Sequence, residues 1–135
     1  MTKQIKQLNF VPLGESVTDP IVVRRRLLET KLRDQRELAL DPGYLRKTFK
    51  WKRGDDGIKQ PIEVPKAVRP WWIEDLNGGL KLLVRYGARP VEFEKGKQAV
   101  LLKSKDELVP AIELIIQAVR AGELDDQIKA IADVR

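Results

Sequence analysis

A run of short alternating segments separated by glycines, residues 69–102, most strongly limits the folds open to this chain. Apolar and polar residues alternate from Leu80 to Tyr86, and Asn77-Gly78-Gly79, Gly87 and Gly96 can supply turns. Alternation with a period of two is typical of strands that bury one face, and glycine permits tight bends between strands. We therefore predict a small antiparallel meander, with its last strand over Ala99–Leu102.

Two adjacent tryptophans, Trp71 and Trp72, lie at the start of this meander. Successive side chains of a strand point to opposite faces. We therefore expect one of the two rings to point away from the core.

Helical patterns flank the meander on both sides. Pro20 suits a first helical position, Thr18 or Asp19 can cap it, and apolar residues recur at helical spacing from Ile21 to Leu40. The run Arg24-Arg25-Arg26 fans out around this helix, so we interpret it as a solvated face with salt-bridge partners. We expect this first helix to pack beside the C-terminal helix or against a partner subunit.

A second helical pattern follows the last strand. Ser104 and Glu107 have the spacing of a capping box, and the amphipathic stretch from Leu108 to Ala121 comes after them. Pro110 should bend this helix or shift its start. A short final helix is predicted beyond Gly122.

These elements predict an α+β fold. It comprises an antiparallel sheet of four to six strands over residues 46–102, an N-terminal helix, a C-terminal amphipathic helix across one face of the sheet, and a short final helix. We divide the chain into an irregular N-terminal arm, residues 1–17, and a single α+β domain, residues 18–135. A chain of 135 residues can bury a sizeable core without disulfides.

The composition narrows the chemistry. The chain has no cysteine and no histidine, which removes the thiolate nucleophile, the usual general base near neutral pH and the soft metal ligands. Ser16 and Ser104 are not in a nucleophile-elbow setting. We expect a protein that is not an enzyme and has no catalytic residues, cofactor or metal. Without an apolar leader or a long apolar run, we expect a cytoplasmic protein with no membrane partner.

Positive charge is concentrated just before the meander, where residues 46–70 hold eight basic and three acidic residues. The alternation from Lys47 to Arg53 puts Phe49 and Trp51 on one face and Lys50 and Lys52 on the other. A turn over residues 54–57 leads to a return strand that contains Pro61, which favours a sheet edge. Such a hairpin could project from the body.

Cations interleaved with rings are typical of single-stranded nucleic-acid binding, since cations contact phosphates and rings stack on bases. The candidate nucleic-acid-binding residues are Lys50, Trp51, Lys52, Arg53, Lys59, Lys66, Arg69 and Trp72. A structural alternative puts Trp51 and one of Trp71 and Trp72 in the core, with lysines that merely protect a sheet edge. A protein-interaction module, such as a phage or mobile-element accessory factor, is the functional alternative. We also expect a homodimer, which would cover the second sheet face.

Several motifs resemble a known family. They are Pro65-Lys66-Ala67-Val68-Arg69-Pro70-Trp71-Trp72, Val84-Arg85-Tyr86-Gly87, Gly96-Lys97 and Ala121-Gly122-Glu123-Leu124-Asp125. They resemble a family of small proteobacterial and prophage-associated proteins known only as a domain of unknown function, over most of the chain from about Val22. The resemblance implies a bacterial cytoplasmic protein and no particular activity.

The order of elements from Leu80 to the helix after Ser104 is also similar to the dimeric single-stranded-DNA-binding domain of the PC4 type, which has four strands followed by a helix. This likeness implies DNA binding. The chain differs from that pattern in its N-terminal helix, its short final helix and the lack of a second glycine after Gly96-Lys97.

Overall fold

The computed structural model describes residues 5–13 and 19–133. In chain order its elements are α1 (Pro20–Leu40), β1 (Leu45–Arg53), β2 (Lys59–Ala67), β3 (Trp72–Glu74), β4 (Leu80–Leu83), β5 (Arg85–Tyr86), β6 (Arg89–Pro90), β7 (Ala99–Leu102), α2 (Leu108–Arg120) and α3 (Asp125–Ala132). Short 3-10 turns cover Ile5–Gln7 and Lys105–Glu107. The predicted α+β fold with an N-terminal helix and two C-terminal helices is confirmed.

The strands belong to three small antiparallel sheets and not to one sheet over residues 46–102. β1 pairs with β2, β3-β4-β7 form a three-stranded sheet with β4 in the centre, and β5 pairs with β6. Pro61 and Pro65 lie in β2 and have no amide hydrogen to donate, which makes that strand a poor partner for a further strand. The hairpin is therefore separate from the meander.

The core lies between the three-stranded sheet and the helices. Its members come from α1, from the sheet, from the segment that follows β4, and from α2 and α3. The fully buried members are Leu28, Leu32, Leu80, Leu82, Val84, Val91, Leu108, Ile112, Val119 and Ile128. Leu28 and Leu32 are four residues apart, as are Leu108 and Ile112, so each pair lies on one helix face. Leu80, Leu82 and Val84 share one face of the sheet by alternation.

Both tryptophans at the start of the meander are half-buried and pack against this core. The prediction that one ring would point away from the core is therefore wrong. β3 begins at Trp72, so Trp71 precedes the strand and does not follow its alternation.

Arginine–carboxylate pairs join α1 to the two C-terminal helices. Arg25 donates from Nε and Nη2 to the Asp125 carboxylate at 2.9 and 2.5 Å, and the Arg120 Nε donates to Glu29, which also pairs with Arg33 at 3.2 Å. The hydrogen bond from Arg25 lowers the pKa of Asp125, and the one from Arg120 lowers the pKa of Glu29. For Arg25, the predicted salt-bridge role is confirmed.

The chain needs a glycine between α2 and α3. Gly122 has φ +81°, and a Cβ there would lie 3.0 Å from the Arg25 Nη2 that pairs with Asp125. The left-handed backbone and the close guanidinium both favour glycine.

The start of α2 differs from the predicted capping box. Ser104 makes no side-chain cap hydrogen bond, and Glu107 Oε2 accepts from the backbone N–H of Lys103 at 2.9 Å. Pro110 is the third residue of α2, within the first turn, where amide groups have no intrahelical acceptor. The predicted shift of the helix start is confirmed, while the predicted cap is wrong.

The described part of the N-terminal arm, residues 5–13, is exposed throughout, including Leu8, Phe10 and Leu13. The predicted boundary between residues 17 and 18 lies outside the described residues. In the part of the chain that the structure describes, no helix is long and apolar enough to cross a membrane.

Candidate nucleic-acid interface

β1 and β2 form a two-stranded hairpin. We call this hairpin, including its turn at residues 54–58, the ribbon. Nine residue pairs connect the strands, from Leu45 opposite Ala67 to Arg53 opposite Lys59. At about 3.4 Å per residue the paired strands are about 27 Å long. Gly57 has φ +78° in the turn, where its N–H donates to the Gly54 carbonyl at 2.9 Å. The predicted turn is confirmed.

The register gives the ribbon two different faces, because side chains of directly paired residues share a face. The aromatic face carries Leu45, Lys47, Phe49, Trp51 and Arg53 from β1, and Lys59, Pro61, Glu63, Pro65 and Ala67 from β2. The cationic face carries Arg46, Thr48, Lys50 and Lys52 from β1, and Gln60, Ile62, Val64 and Lys66 from β2. The ring of Trp51 and the ammonium groups of Lys50 and Lys52 therefore lie on opposite faces.

The rings of the aromatic face are open to solvent. Trp51 is 72% exposed and Phe49 is 67% exposed. The structural alternative that placed Trp51 in the core is therefore wrong. Two large apolar rings side by side on one exposed surface are typical of a binding surface.

The ribbon is strongly basic. From Leu45 to Ala67 it contains seven lysines and arginines against three carboxylates. One of those carboxylates, Glu63, lies 3.9 Å from the Lys47 Nζ, and the other two, Asp55 and Asp56, are in the turn. Asp56 Oδ1 accepts from the N–H of Ile58 at 3.0 Å. Most of the positive charge is therefore left for an external anion.

Two buried polar residues of α1 hold both ends of the ribbon. Asp34 Oδ1 accepts from the Tyr44 hydroxyl at 2.9 Å, and its Oδ2 lies 3.7 Å from the Arg46 Nε, just where β1 begins. Burial and the bond to Asp34 raise the pKa of Tyr44. These contacts fix the entry to the ribbon.

Gln35 fixes the exit. Its Nε2 donates to the Arg69 carbonyl at 2.9 Å, and its Oε1 accepts from the Trp71 N–H at 2.9 Å. Sequence reasoning missed Asp34 and Gln35. A signal was present for Gln35, which follows Leu28 and Leu32 at helical spacing and so continues the buried stripe.

The eight candidate residues are found in three places. Five of them, Lys50, Trp51, Lys52, Arg53 and Lys59, lie in the outer half of the ribbon and are exposed. Lys66 and Arg69 line a cleft at the base of the ribbon. Trp72 is paired with Leu82 in the three-stranded sheet and packs against the core. The ribbon therefore brings five candidates together, on two faces, and leaves Trp72 elsewhere.

What this arrangement can do chemically is bind anions and flat apolar groups. Within the described residues, no three metal-ligating side chains form a cluster.

A family model described as a family of unknown function, DUF6641, matches residues 2–128. The chain belongs to the DUF6641 family. The expected membership in a family of unknown function is thereby confirmed.

No curated protein and no solved structure matches this DUF6641 chain. The likeness to the PC4-type domain stays a prediction, and so does the prophage association expected for the family.

Proposed function

We propose that this protein is a non-enzymatic binding protein that holds single-stranded nucleic acid on the ribbon. The observation that carries the proposal is the exposed pair Phe49 and Trp51 on one face of a strongly basic ribbon. The two rings are two residues apart on one strand, a separation of about 7 Å. Each ring can therefore stack on a different unpaired base.

Cations on the same face support phosphate contacts beside the stacked bases. Arg53 and Lys59 are directly paired at the end of the ribbon, next to Trp51 on the aromatic face. Lys50 and Lys52 point the other way and would contact phosphates only where the strand wraps around the ribbon. We therefore assign more of the phosphate binding to Arg53 and Lys59 than to Lys50 and Lys52.

A single strand is favoured over a duplex because of the rings. A two-stranded ribbon can also enter the major groove of B-DNA, where its cations would contact phosphates. Paired bases, however, hide their faces in the stack, so a duplex would leave Trp51 and Phe49 without a partner.

The test is fluorescence anisotropy with the full chain and a labelled 20-nucleotide oligo(dT). Stacking contributes about 1 to 3 kcal/mol per base, so Trp51→Ala should weaken binding roughly 5- to 150-fold. Trp51→Phe should retain most of the affinity. On a duplex of the same length, Trp51→Ala should change little.

Charge variants separate the two faces. With a slope of about −0.7 per neutralised phosphate, Arg53→Gln with Lys59→Gln should reduce the salt slope by about 1.4, and Lys50→Gln with Lys52→Gln by less. The matched control is Lys95→Gln with Lys129→Gln, which removes two exposed charges outside the ribbon. No binding at 50 mM salt, or binding that ignores salt, would refute the proposal.

A second candidate, a protein-interaction module, is favoured by one observation. The aromatic face also presents Leu45, Pro61, Pro65 and Ala67 beside its two rings, so much of this face is apolar. A protein partner on this face would bind with little salt dependence and would lose affinity with Trp51→Ala. The salt titration of a nuclease-treated pull-down distinguishes this candidate from the first.

We further propose that the protein is a bacterial cytoplasmic homodimer. The lack of cysteine suits a reducing compartment, and the exposed apolar residues of the N-terminal arm, such as Phe10 and Leu13, suit a subunit contact. Light scattering after size exclusion should give twice the chain mass of 15.5 kDa. A mass of one chain at micromolar concentration would refute the dimer.

A further inference from the structure

A cleft of about 310 Å³ lies at the base of the ribbon, between α1, the ends of β1 and β2, and the loop after β5. Its wall contains five cations, Lys31, Arg46, Lys66, Arg69 and Arg85, and one carboxylate, Asp34. This volume falls in the range of small-molecule sites. The cleft therefore has the size of a ligand site and a large excess of positive charge.

The single carboxylate does not neutralise this charge. Asp34 accepts a hydrogen bond from the Tyr44 hydroxyl and pairs with Arg46 at 3.7 Å. Arg85 donates from Nη1 to the Ala88 carbonyl at 3.3 Å. In the described part of the chain, Lys31, Lys66 and Arg69 make no ion pair within 4.0 Å. Three cations thus remain available to one external anion.

The cleft also disfavours the charged form of one of its two lysines, Lys31. Burial, followed by the positive charges of Arg46 and Lys66, lowers the pKa of Lys31, and Asp34 opposes this only in part. An anion placed between these groups would relieve their repulsion. The fold holds the cations together through the ribbon ends and α1, which supports a site built before its ligand arrives.

We propose that this cleft binds a phosphate group, presented either by the end of a nucleic-acid strand or by a free nucleotide. Arginine binds phosphate with two parallel N–H donors, and lysine adds a point charge. The half-buried ring of Trp71 lies in the same wall and can contact the sugar or base next to the phosphate. The cationic face of the ribbon leads to the cleft through Arg46 and Lys66.

This site is independent of stacking on the ribbon. It uses none of Phe49, Trp51, Arg53 or Lys59, which are the residues assigned to the strand. Either site can therefore fail in experiment while the other holds.

The decisive variant is Lys31→Gln with Arg69→Gln. Both side chains are exposed enough to be replaced without loss of core packing, and the backbone carbonyl of Arg69 that binds Gln35 is kept. The matched control is Lys95→Gln with Lys129→Gln, which removes the same charge from exposed positions outside both the ribbon and the cleft. Both variants should melt cooperatively like the wild type.

The measurement is isothermal titration of the full chain with inorganic pyrophosphate, with ATP, and with 5′-phosphorylated and 5′-hydroxyl oligo(dT). Pyrophosphate should bind the wild type and the Lys95→Gln/Lys129→Gln control equally, and should bind Lys31→Gln/Arg69→Gln at least tenfold more weakly. Tighter binding of the phosphorylated oligonucleotide than of the hydroxyl form, lost in the same variant, would identify the strand end as the source. Tighter binding of ATP, with no effect of the 5′-phosphate, would identify a free nucleotide.

No binding of pyrophosphate, ATP or the 5′-phosphate by the wild type would overturn the proposal. Equal weakening by the cleft variant and the Lys95→Gln/Lys129→Gln control would also overturn it, because such a result reports net charge alone. Binding of 5′-hydroxyl oligo(dT) in a Trp51-dependent way, together with no pyrophosphate binding, would keep the ribbon function and remove the cleft.

Discussion

The three-stranded sheet and the ribbon are both antiparallel, yet they are stabilised by different interactions. In the sheet, Leu80 and Leu82 are buried under the helices, and arginine–carboxylate pairs lock those helices together. In the ribbon every side chain from Phe49 to Glu63 is exposed, and backbone hydrogen bonds and the attachment to α1 maintain the structure. An isolated two-stranded hairpin is marginally stable in water. The part of the chain outside the ribbon, which we call the body, is thus stabilised by its buried core. The outer ribbon residues contribute little to that core and are available for binding.

The largest expected difference between the two regions is the cost of removing an apolar side chain. Leu82→Ala should lower the free energy of unfolding by about 2 to 5 kcal/mol, because the site is fully buried. Phe49→Ala should lower it by less than about 0.5 kcal/mol. Urea denaturation followed by circular dichroism measures both. A large loss for Phe49→Ala would mean that the aromatic face is covered in solution.

The next effect concerns the joint between ribbon and body. Gln35→Leu keeps the side-chain size but leaves the Arg69 carbonyl and the Trp71 N–H without their partner. We expect a loss of about 2 kcal/mol in the free energy of unfolding. Gln117→Leu, an exposed change on α2, is the control and should be nearly neutral. A neutral Gln35→Leu would show that the ribbon exit does not depend on α1.

A smaller and pH-dependent effect is expected in the body. The pKa of Asp125 is lowered in the folded chain by Arg25, so the pair stabilises the fold above the unfolded pKa of about 3.9 and loses this contribution as the pH falls through the lowered folded value. Asp125→Asn should therefore cost about 1 kcal/mol at pH 7 and much less near pH 3. Asp126→Asn, at the exposed neighbouring position, is the control because it leaves the Arg25–Asp125 pair in place. An equal cost for Asp125→Asn at both pH values would contradict the role of the pair.

The smallest effect is expected on the cationic face of the ribbon. Lys50→Gln with Lys52→Gln should change the free energy of unfolding by less than about 0.5 kcal/mol. Any gain from reduced repulsion should appear at low salt and vanish at high salt. Thermal melts at 50 and 500 mM salt measure this. A marked loss of stability would mean that these lysines pair with groups in the body.

Local patterns predicted the helices and the hairpin because their causes are local. Pro20 at the start of α1, Gly122 after α2 and the alternation around Trp51 each act within a few residues. The opposite faces of Trp51 and Lys50 followed from the same alternation. These parts of the fold, and the arrangement of the outer half of the candidate site, could be predicted from the sequence.

Long-range contacts decided the rest. The separation of the hairpin from the meander depends on which strands meet, which alternation does not encode. Asp34 and Gln35 are polar residues, and their burial is favoured only because each finds a hydrogen-bond partner in another segment. The partners of Gln35 are more than thirty residues away, and the partner of Asp34 lies at the ribbon entry. The cleft at the base of the ribbon is lined by cations from four separate segments, so no single sequence motif could have predicted it.

The attachment of both ribbon ends to neighbouring residues of one helical turn also bears on how this chain can change during evolution. Because Asp34 holds the entry and Gln35 the exit, insertions or deletions in the ribbon leave the body untouched. Adding two residues to each strand would lengthen the ribbon by about 7 Å and keep each side chain on its face. Adding one to each would exchange the faces of everything beyond the insertion. We therefore expect homologues to vary in ribbon length in steps of two residues per strand.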